Sequence, residues 1–203
     1  MKRSLVVCAV AVAVIAIFAP ALAQTPQADE PATKFEKVIL TKGSLGVREF
    51  WTLGRVTSGR GGSAEFELAR WSTPGAPNSA VMALRVSVKE TGRVERERIG
   101  VWDREEVVSF AKTIPEMAKM AAALKAAQND AADNGSTEVG FNAGSLKVVA
   151  FVGRRPHQKP GIAIQAGNIG STQAFFDLSD LDRIKELVDD AVAKMAALDK
   201  VGR

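Results

Sequence analysis

The residues best suited to bind a charged ligand lie in one short basic segment, Arg154-Arg-Pro-His-Gln-Lys-Pro160. Arg154, Arg155, His157 and Lys159 are not accompanied by any acidic residue in this segment. The planar guanidinium of arginine matches phosphate, sulfate and carboxylate groups, which it can hold with two parallel N–H donors. We therefore predict these four residues as the ligand-binding residues. The alternative is a solvated hairpin loop without a ligand.

Catalysis has two candidate sets of residues. His157 is the only histidine, and a histidine base needs a nucleophile and an orienting acid that sequence spacing does not reveal. Asp103 and Asp177 occupy matching places in two similar stretches and could act as paired carboxylates, but capping of the following helices explains both. We assign no catalytic residue and expect a protein that is not an enzyme, with a hydrolase as the alternative.

Metal and cofactor sites are not indicated. With a single histidine and a single cysteine, only a site built from carboxylate oxygens would remain. The neighbouring aspartates fit a helix start and a solvated helix face better than a metal site; they are Asp180, Asp182, Asp189 and Asp190. No glycine loop has a recognised phosphate-binding spacing. We therefore predict no metal and no cofactor.

The first 23 residues have the three parts of a signal peptide. Lys2 and Arg3 precede an apolar run, which ends at the small-residue site Ala21-Leu22-Ala23. Cleavage there would remove Cys8, the only cysteine, and lower the net charge from +4 to +2. An uncleaved membrane helix is the alternative; no later stretch is long and apolar enough to span a membrane. We expect an exported protein, in the bacterial periplasm or secreted.

The exported chain is predicted to form one domain behind a flexible leader. Residues 24–34 contain prolines and acidic residues and are typical of a linker. From residue 35 the alternation of apolar and polar residues predicts strands. Their approximate ranges are 37–41, 47–56, 64–71, 82–88 and 93–102 in unit one (35–130), and 137–141, 146–152, 161–165 and 173–176 in unit two (131–203). A loop is expected at 72–79, and Ser58-Gly-Arg-Gly-Gly-Ser63 is expected to form a turn in which glycines adopt positive φ.

A predicted amphipathic helix closes each unit. Apolar residues recur at helical spacing from Asp177 to Leu198, and an earlier helix begins at Asp103 with a capping box completed by Glu106. The two helices match at a constant offset of 74 residues. Pro115 predicts a kink or a restart within the first of them. We infer two units packed about a pseudo-twofold axis in one α+β domain; two unrelated stretches of common helix composition are the alternative.

The order of four strands and a helix, repeated once, resembles the architecture of the Pur and Whirly single-strand-binding proteins. The resemblance extends to the order of elements alone, and a fold likeness does not establish function. Trp51, Trp71 and Trp102 are expected to pack in the core or between strands, with a stacking surface for bases or sugars as the alternative.

We therefore expect a binding protein with a protein partner or an anionic ligand, and with a sheet edge or a helix face available for homodimerisation. A polyanion or single-stranded nucleic-acid binder that uses the basic segment is the alternative, although export makes nucleic acid an unfavoured partner.

Overall fold

The computed structural model describes residues 33–43, 45–92, 94–127, 135–153, 159–167 and 170–201. Its elements in chain order are α1 (Lys34–Leu40), β1 (Val47–Thr57), β2 (Ser63–Thr73), β3 (Ala76–Glu90), β4 (Arg96–Asp103), α2 (Arg104–Ala126), β5 (Ser136–Ala143), β6 (Leu146–Gly153), β7 (Gly161–Ala166), β8 (Thr172–Asp177) and α3 (Asp180–Val201). The strands β1 to β4 form the first antiparallel sheet and β5 to β8 the second, each in chain order. The predicted α+β class is confirmed. The predicted signal peptide lies outside the described residues.

The two long helices pack across the units. Helix α3, which follows the second sheet, lies mainly on β1 and β2 of the first sheet. Helix α2, which follows the first sheet, lies on β5 and β6 as well as on β3 and β4. The sheets also contact each other directly, through β3 with β7 and β8 and through β4 with β7. Both sheets and both helices therefore share one hydrophobic core.

The residues matched at an offset of 74 are the ones that face this core. Pairs of buried residues at that offset are Val107 and Leu181, Phe110 and Ile184, Ile114 and Val188, Met117 and Ala191, and Ala121 and Met195. Such spacing produces one apolar stripe on each helix, and burial of the stripe, rather than helix propensity, stabilises the helix. An ion pair of 2.5 Å between Arg104 and Asp199 joins the start of α2 to the end of α3, so the two helices run antiparallel.

Helix α1 covers part of the outer face of the first sheet. Its Phe35 is 1% exposed and packs in a second, smaller core with Ala69, Trp71, Ala83 and Val101. The helix begins with a complete capping box: the Thr33 side chain accepts from the Glu36 amide, and the Glu36 side chain accepts from the Thr33 amide. The sequence analysis predicts a strand at 37–41, and this is wrong. The box initiates a helix, and burial of Phe35 stabilises it, which outweighs the strand preference of Val38 and Ile39.

Two other predicted features differ from the structure. The loop expected at 72–79 is a tight turn at Pro74 and Gly75, where Gly75 has φ +80° and the register continues from Thr73 to Ala76. Helix α2 continues without a break through Pro115. Pro115 is exposed, while its neighbours Ile114 and Met117 are buried. Their packing compensates for the one backbone hydrogen bond that a proline removes.

Among the residues that the structure describes, none of the helices has both the length and the apolar character needed to cross a membrane.

Candidate ligand-binding surface

The outer face of the second sheet carries a pair of aromatic rings, of which Phe175 is exposed and Phe151 is half-buried. Along β8, Ala174 and Phe176 point into the core, so Phe175 between them points outward and is 41% exposed. Phe151 on β6 lies beside it, with ring centroids 6.0 Å apart and planes at 85°. This is the edge-to-face arrangement that aromatic pairs favour. A ligand with a flat ring or an apolar side chain could pack on this pair.

Several small residues lie beside the pair on the outer face, together with Val149. Gly140, Gly153, Gly161 and Ala163 share the outer face with the aromatic pair, as the strand register shows. A side chain at Gly161 would collide with the Phe151 ring, whose Cζ lies 2.7 Å from the position of a Cβ atom. The Phe151 ring therefore packs directly against the backbone at Gly161.

Arg60 reaches this surface from the first unit. Its Nε donates to Asp177 Oδ1 at 2.9 Å, and its Nη2 donates to the Pro160 carbonyl at 2.8 Å. Its guanidinium carbon lies 6.0 Å from the centroid of the Phe151 ring, within the range of a cation–π contact. The arginine thus joins the start of β7, the end of β8 and the aromatic pair.

The turn that carries Arg60 has the predicted glycine geometry. Ser58 donates its amide to the Gly62 carbonyl at 3.0 Å and accepts the Arg60 amide on its hydroxyl at 2.8 Å. Gly61 and Gly62 have φ of +88° and +126°, as the sequence analysis predicts for this segment. A Cβ atom on Gly62 would lie 2.8 Å from the Lys89 carbonyl and 3.0 Å from Ala174 Cβ. Glycine is therefore required for the turn to approach β8 this closely.

The predicted basic residues are only partly described. Arg154, Arg155 and His157 belong to the connection between β6 and β7 and lie outside the described residues. Lys159 is exposed and precedes Pro160, whose carbonyl Arg60 holds. Lys147 lies on the same outer face and borders a shallow cavity of about 180 Å³ with Asn142, Ser145, Leu146, Gln165 and Gly167.

Asp103 and Asp177 each bind a different set of partners in the structure. Asp103 is 6% exposed and accepts the Lys34 and Phe35 amides at 2.6 and 3.1 Å, so it caps α1 from a distance in sequence. Its own amide donates to Glu106 Oε2 at 2.8 Å, as the predicted capping box requires. Asp177 binds Arg60, and its amide donates to Asp180 Oδ2 at 2.9 Å. The capping interpretation therefore holds for Asp103, whereas the Asp177 carboxylate pairs with Arg60 and Asp177 lies before the start of α3 at Asp180.

A polar network surrounds Asp103 and ties the units together. The Ser145 hydroxyl donates to Glu36 Oε1 at 2.8 Å and accepts the Val101 amide at 2.9 Å. Burial raises the pKa of Glu106 above its ordinary value, although hydrogen bonds from the Asp103 and Gly144 amides oppose that rise. The described residues contain no buried side-chain polar atom without a partner. The network thus links α1, β4 and the turn between β5 and β6 through hydrogen bonds.

A second shallow cavity, of about 260 Å³, lies next to this network. Lys34, Asp103, Arg104, Glu105 and Asp199 are among its lining residues. The Glu105 carboxylate raises the pKa of Lys34, and Lys34 in turn lowers the pKa of Glu105 through their hydrogen bond. Asp199 likewise raises the pKa of Arg104. The charges here neutralise one another in ion pairs. We therefore assign these side chains a structural role rather than a role in ligand binding.

The three tryptophans pack as predicted. Trp102 is 1% exposed and its indole donates to the Ala143 carbonyl at 2.9 Å. Trp71 lies beneath α1, and the partly buried Trp51 packs against the core with Lys194 at 5.6 Å from its ring.

Within the described ranges, no group of three or more His, Cys, Asp or Glu side chains is placed to hold a metal ion.

No protein-family profile, curated protein or solved structure matches this chain.

The sequence analysis did not identify Phe151 or Phe175 as functional candidates, and it favoured a turn over a contact site for the segment that contains Arg60. Alternation along β8 carries a signal for Phe175, because Ala174 and Phe176 occupy the core positions on either side. The long-range contact of Arg60 with Asp177 has no signal in local sequence, since 117 residues separate them.

Proposed function

We propose that this is an exported, non-enzymatic binding protein, and that its ligand lies across the outer face of the second sheet. The observation that supports this most directly is the edge-to-face pair of the exposed Phe175 and the half-buried Phe151 on this face. Exposed aromatic groups on a rigid scaffold are a common anchor for a ligand, because they bury a large area at little cost in conformational entropy. The signal-peptide pattern supports export to the periplasm or the exterior.

The rigidity of the surface supports the same proposal. Four paired strands underlie the rings, and Arg60 fixes the ends of β7 and β8 through Pro160 and Asp177. A preorganised surface loses little freedom when a ligand binds, so more of the interaction energy contributes to affinity. We assign Arg60 as a positioning residue, since it bonds to both Asp177 and the Pro160 carbonyl.

The specific ligand class that we propose to test is an anionic polymer. Lys147 and Lys159 lie on or beside the outer face, and the predicted basic residues Arg154, Arg155 and His157 belong to the connection that adjoins it. Aromatic rings contribute stacking, which tolerates many sequences, while cations track the charged backbone. Sulfated or carboxylated polysaccharide and single-stranded nucleic acid share this chemistry. A protein partner on the same surface is the alternative.

We further propose that the two units are related by a pseudo-twofold axis. Each unit places its first hairpin turn against the strand-to-helix junction of the other unit: Arg60 contacts Asp177, and the turn at Gly144 and Ser145 contacts Val101 and Glu106. The exchange of α2 and α3 between the sheets is similarly reciprocal. Superposition of the units in an experimental structure tests this relation, and unrelated strand paths would refute it.

The binding experiment compares two phenylalanines of similar exposure. Labelled sulfated polysaccharide and labelled single-stranded oligonucleotide are titrated with the purified protein by fluorescence anisotropy over a salt series. Phe175→Ser should weaken binding severalfold. Phe50→Ser, which alters a 47% exposed ring on the first sheet, is the matched control and should bind normally. Equal affinities of the two variants would refute the assignment of this surface.

The salt dependence of the affinity measures how much the lysine side chains contribute to binding. The double variant Lys147→Gln and Lys159→Gln should lower the slope of log affinity against log salt by roughly one to two, since each lost phosphate or sulfate contact removes about one released counterion. A salt-independent affinity would contradict the polyanion proposal. A comparison of the affinities for the oligonucleotide and for the polysaccharide shows whether the bases contribute to binding.

A further inference from the structure

We infer that the protein forms a homodimer in which β5 pairs antiparallel with β5 of a second copy. This assigns a self-complementary interface to the free edge of the second sheet. The inference rests on that edge and on α2, and it stands whether or not the proposed ligand binds the outer face.

Strand β5 is the least protected of the four sheet edges. It hydrogen-bonds to β6 on one side, and none of the described strands pairs with its other side. Its sequence, Ser136 to Ala143, contains one charged residue and neither lysine nor proline, and its register with β6 has no bulge. An edge of this kind presents free backbone donors and acceptors to another strand.

The other three edges carry features that hinder pairing. Strand β1, at the corresponding place in the first sheet, has a bulge between Thr52 and Gly54 and carries the charged residues Arg48, Glu49 and Arg55. Strand β4 begins with the exposed charged residues Arg96, Glu97 and Arg98. Strand β8 lies against β3. Bulges and clustered edge charges are the usual protection of edges against association; among the described residues β5 has no bulge and one charged residue, Glu138, while α2 covers its inner face and leaves the edge itself unpaired.

A twofold axis at Gly140 gives β5 a complementary register with itself. Val139 then lies opposite Phe141 of the second copy on the inner face, and Glu138 lies opposite Asn142 on the outer face. Aromatic and β-branched residues make favourable cross-strand pairs, and an amide can donate to a carboxylate. An axis at Glu138 would instead place two carboxylates directly opposite each other, which is unfavourable. Gly140 at the axis also permits close approach of the strands.

Helix α2 extends the same surface with an exposed apolar residue. Met120 is 50% exposed. Sixteen residues separate it from Arg104, so at 3.6 residues per turn the two project about 160° apart. Arg104 pairs with Asp199 on α3, so Met120 projects away from α3. Since α2 lies over β5 and β6 while α3 contacts β8 at the far edge, Met120 lies on the β5 side, where the second copy would cover it.

The first test is a pair of opposite charge substitutions at one exposed position. Asn142→Glu places a carboxylate opposite Glu138 of the second copy, and Asn142→Lys places an ammonium there. Each substitution acts twice in a symmetric dimer, so we expect the dimer Kd from sedimentation equilibrium to rise about 2- to 30-fold for Glu and to fall by a similar factor for Lys. Glu97→Lys on the β4 edge is the control and should leave Kd unchanged. Circular dichroism verifies that all variants fold.

Disulfide trapping tests the register itself. In a Cys8→Ser background, Glu138→Cys with Asn142→Cys should form a covalent dimer on mild oxidation. The two positions within one strand are about 13 Å apart, too far for an intrachain disulfide. Glu138→Cys alone should not crosslink, because its counterpart is equally distant in this register. A monomeric wild-type protein, Asn142 variants that shift Kd in the same direction, or a dimer that the paired cysteines fail to trap would each overturn the inference.

Discussion

Gly62→Ala should destabilise the protein strongly, because the turn that carries Arg60 depends on a glycine at this position. Gly62 has φ +126°, and an added Cβ atom would lie 2.8 Å from the Lys89 carbonyl and 3.0 Å from Ala174 Cβ. Both neighbours are backbone or are fixed to it, so neither can move aside without displacing a strand. Gly59 in the same turn has open space around its Cβ position and a φ outside the positive region.

The magnitude follows from two contributions. A residue with a side chain in a left-handed conformation costs about 1–2 kcal/mol, and overpacking of a tight contact costs about 1–3 kcal/mol. Their sum, about 2–5 kcal/mol in the free energy of unfolding, corresponds to a fall in Tm of roughly 4–20 °C for a domain of this size. Gly59→Ala has neither penalty and should gain about 0.4–1 kcal/mol by restricting the unfolded chain.

Differential scanning calorimetry of the two variants beside the wild type measures this difference. Both variants exchange a glycine for an alanine in one five-residue turn, so composition and helix propensity do not differ between them. If Gly62→Ala melted at the same temperature as Gly59→Ala, the close approach of the turn to β8 would be refuted, and with it the placement of Arg60.

Three further predictions concern the residues around α1 and the N-terminus of the protein. Burial raises the pKa of Glu106, so its contribution to stability is present in acid and is lost as pH rises through the folded-state pKa. Glu106→Gln should therefore raise Tm at pH 7 relative to wild type and lose this advantage in acid. Lys34 lowers the pKa of Glu105, so Glu105→Gln should show the opposite pH dependence of Tm in thermal melts. Phe35→Ala should release α1 and speed amide exchange there, at a cost of up to about 3–5 kcal/mol, while Leu40→Ala, at a 61% exposed position, should not. Intact-mass analysis of the exported protein should give an N-terminus at Gln24, and a retained Met1 would contradict the signal-peptide prediction.

The sequence alone was sufficient for the elements whose periodicity spans many residues. The stripes of α2 and α3 and the alternation in β2 and β3 reflect burial on one side of a regular element, and such a pattern is visible locally. Short elements were less predictable. Residues 37–41 have strand-like composition, but the helix there depends on Thr33 and on the contact of Phe35 with Trp71, Ala83 and Val101 from distant strands.

The candidate site was the least predictable part. The prediction emphasised charge, and three of its four basic residues lie outside the described residues. The aromatic pair and Arg60 come together only when β6, β8 and the turn at 58–62 are assembled in space. Local sequence records which face a residue occupies within its own strand, but the neighbour across the sheet or from the other unit depends on the tertiary arrangement.

The exchange of helices between the units has a consequence for the order in which the chain can fold during synthesis. The inner face of β1 and β2 is covered by α3, which ends at Val201, so this face stays uncovered until almost the whole chain has emerged. Contacts between residues so distant in sequence form late and slow the folding of a nascent chain. Under the export that we propose, a topology that postpones closure to the last helix would keep the chain unfolded during translocation.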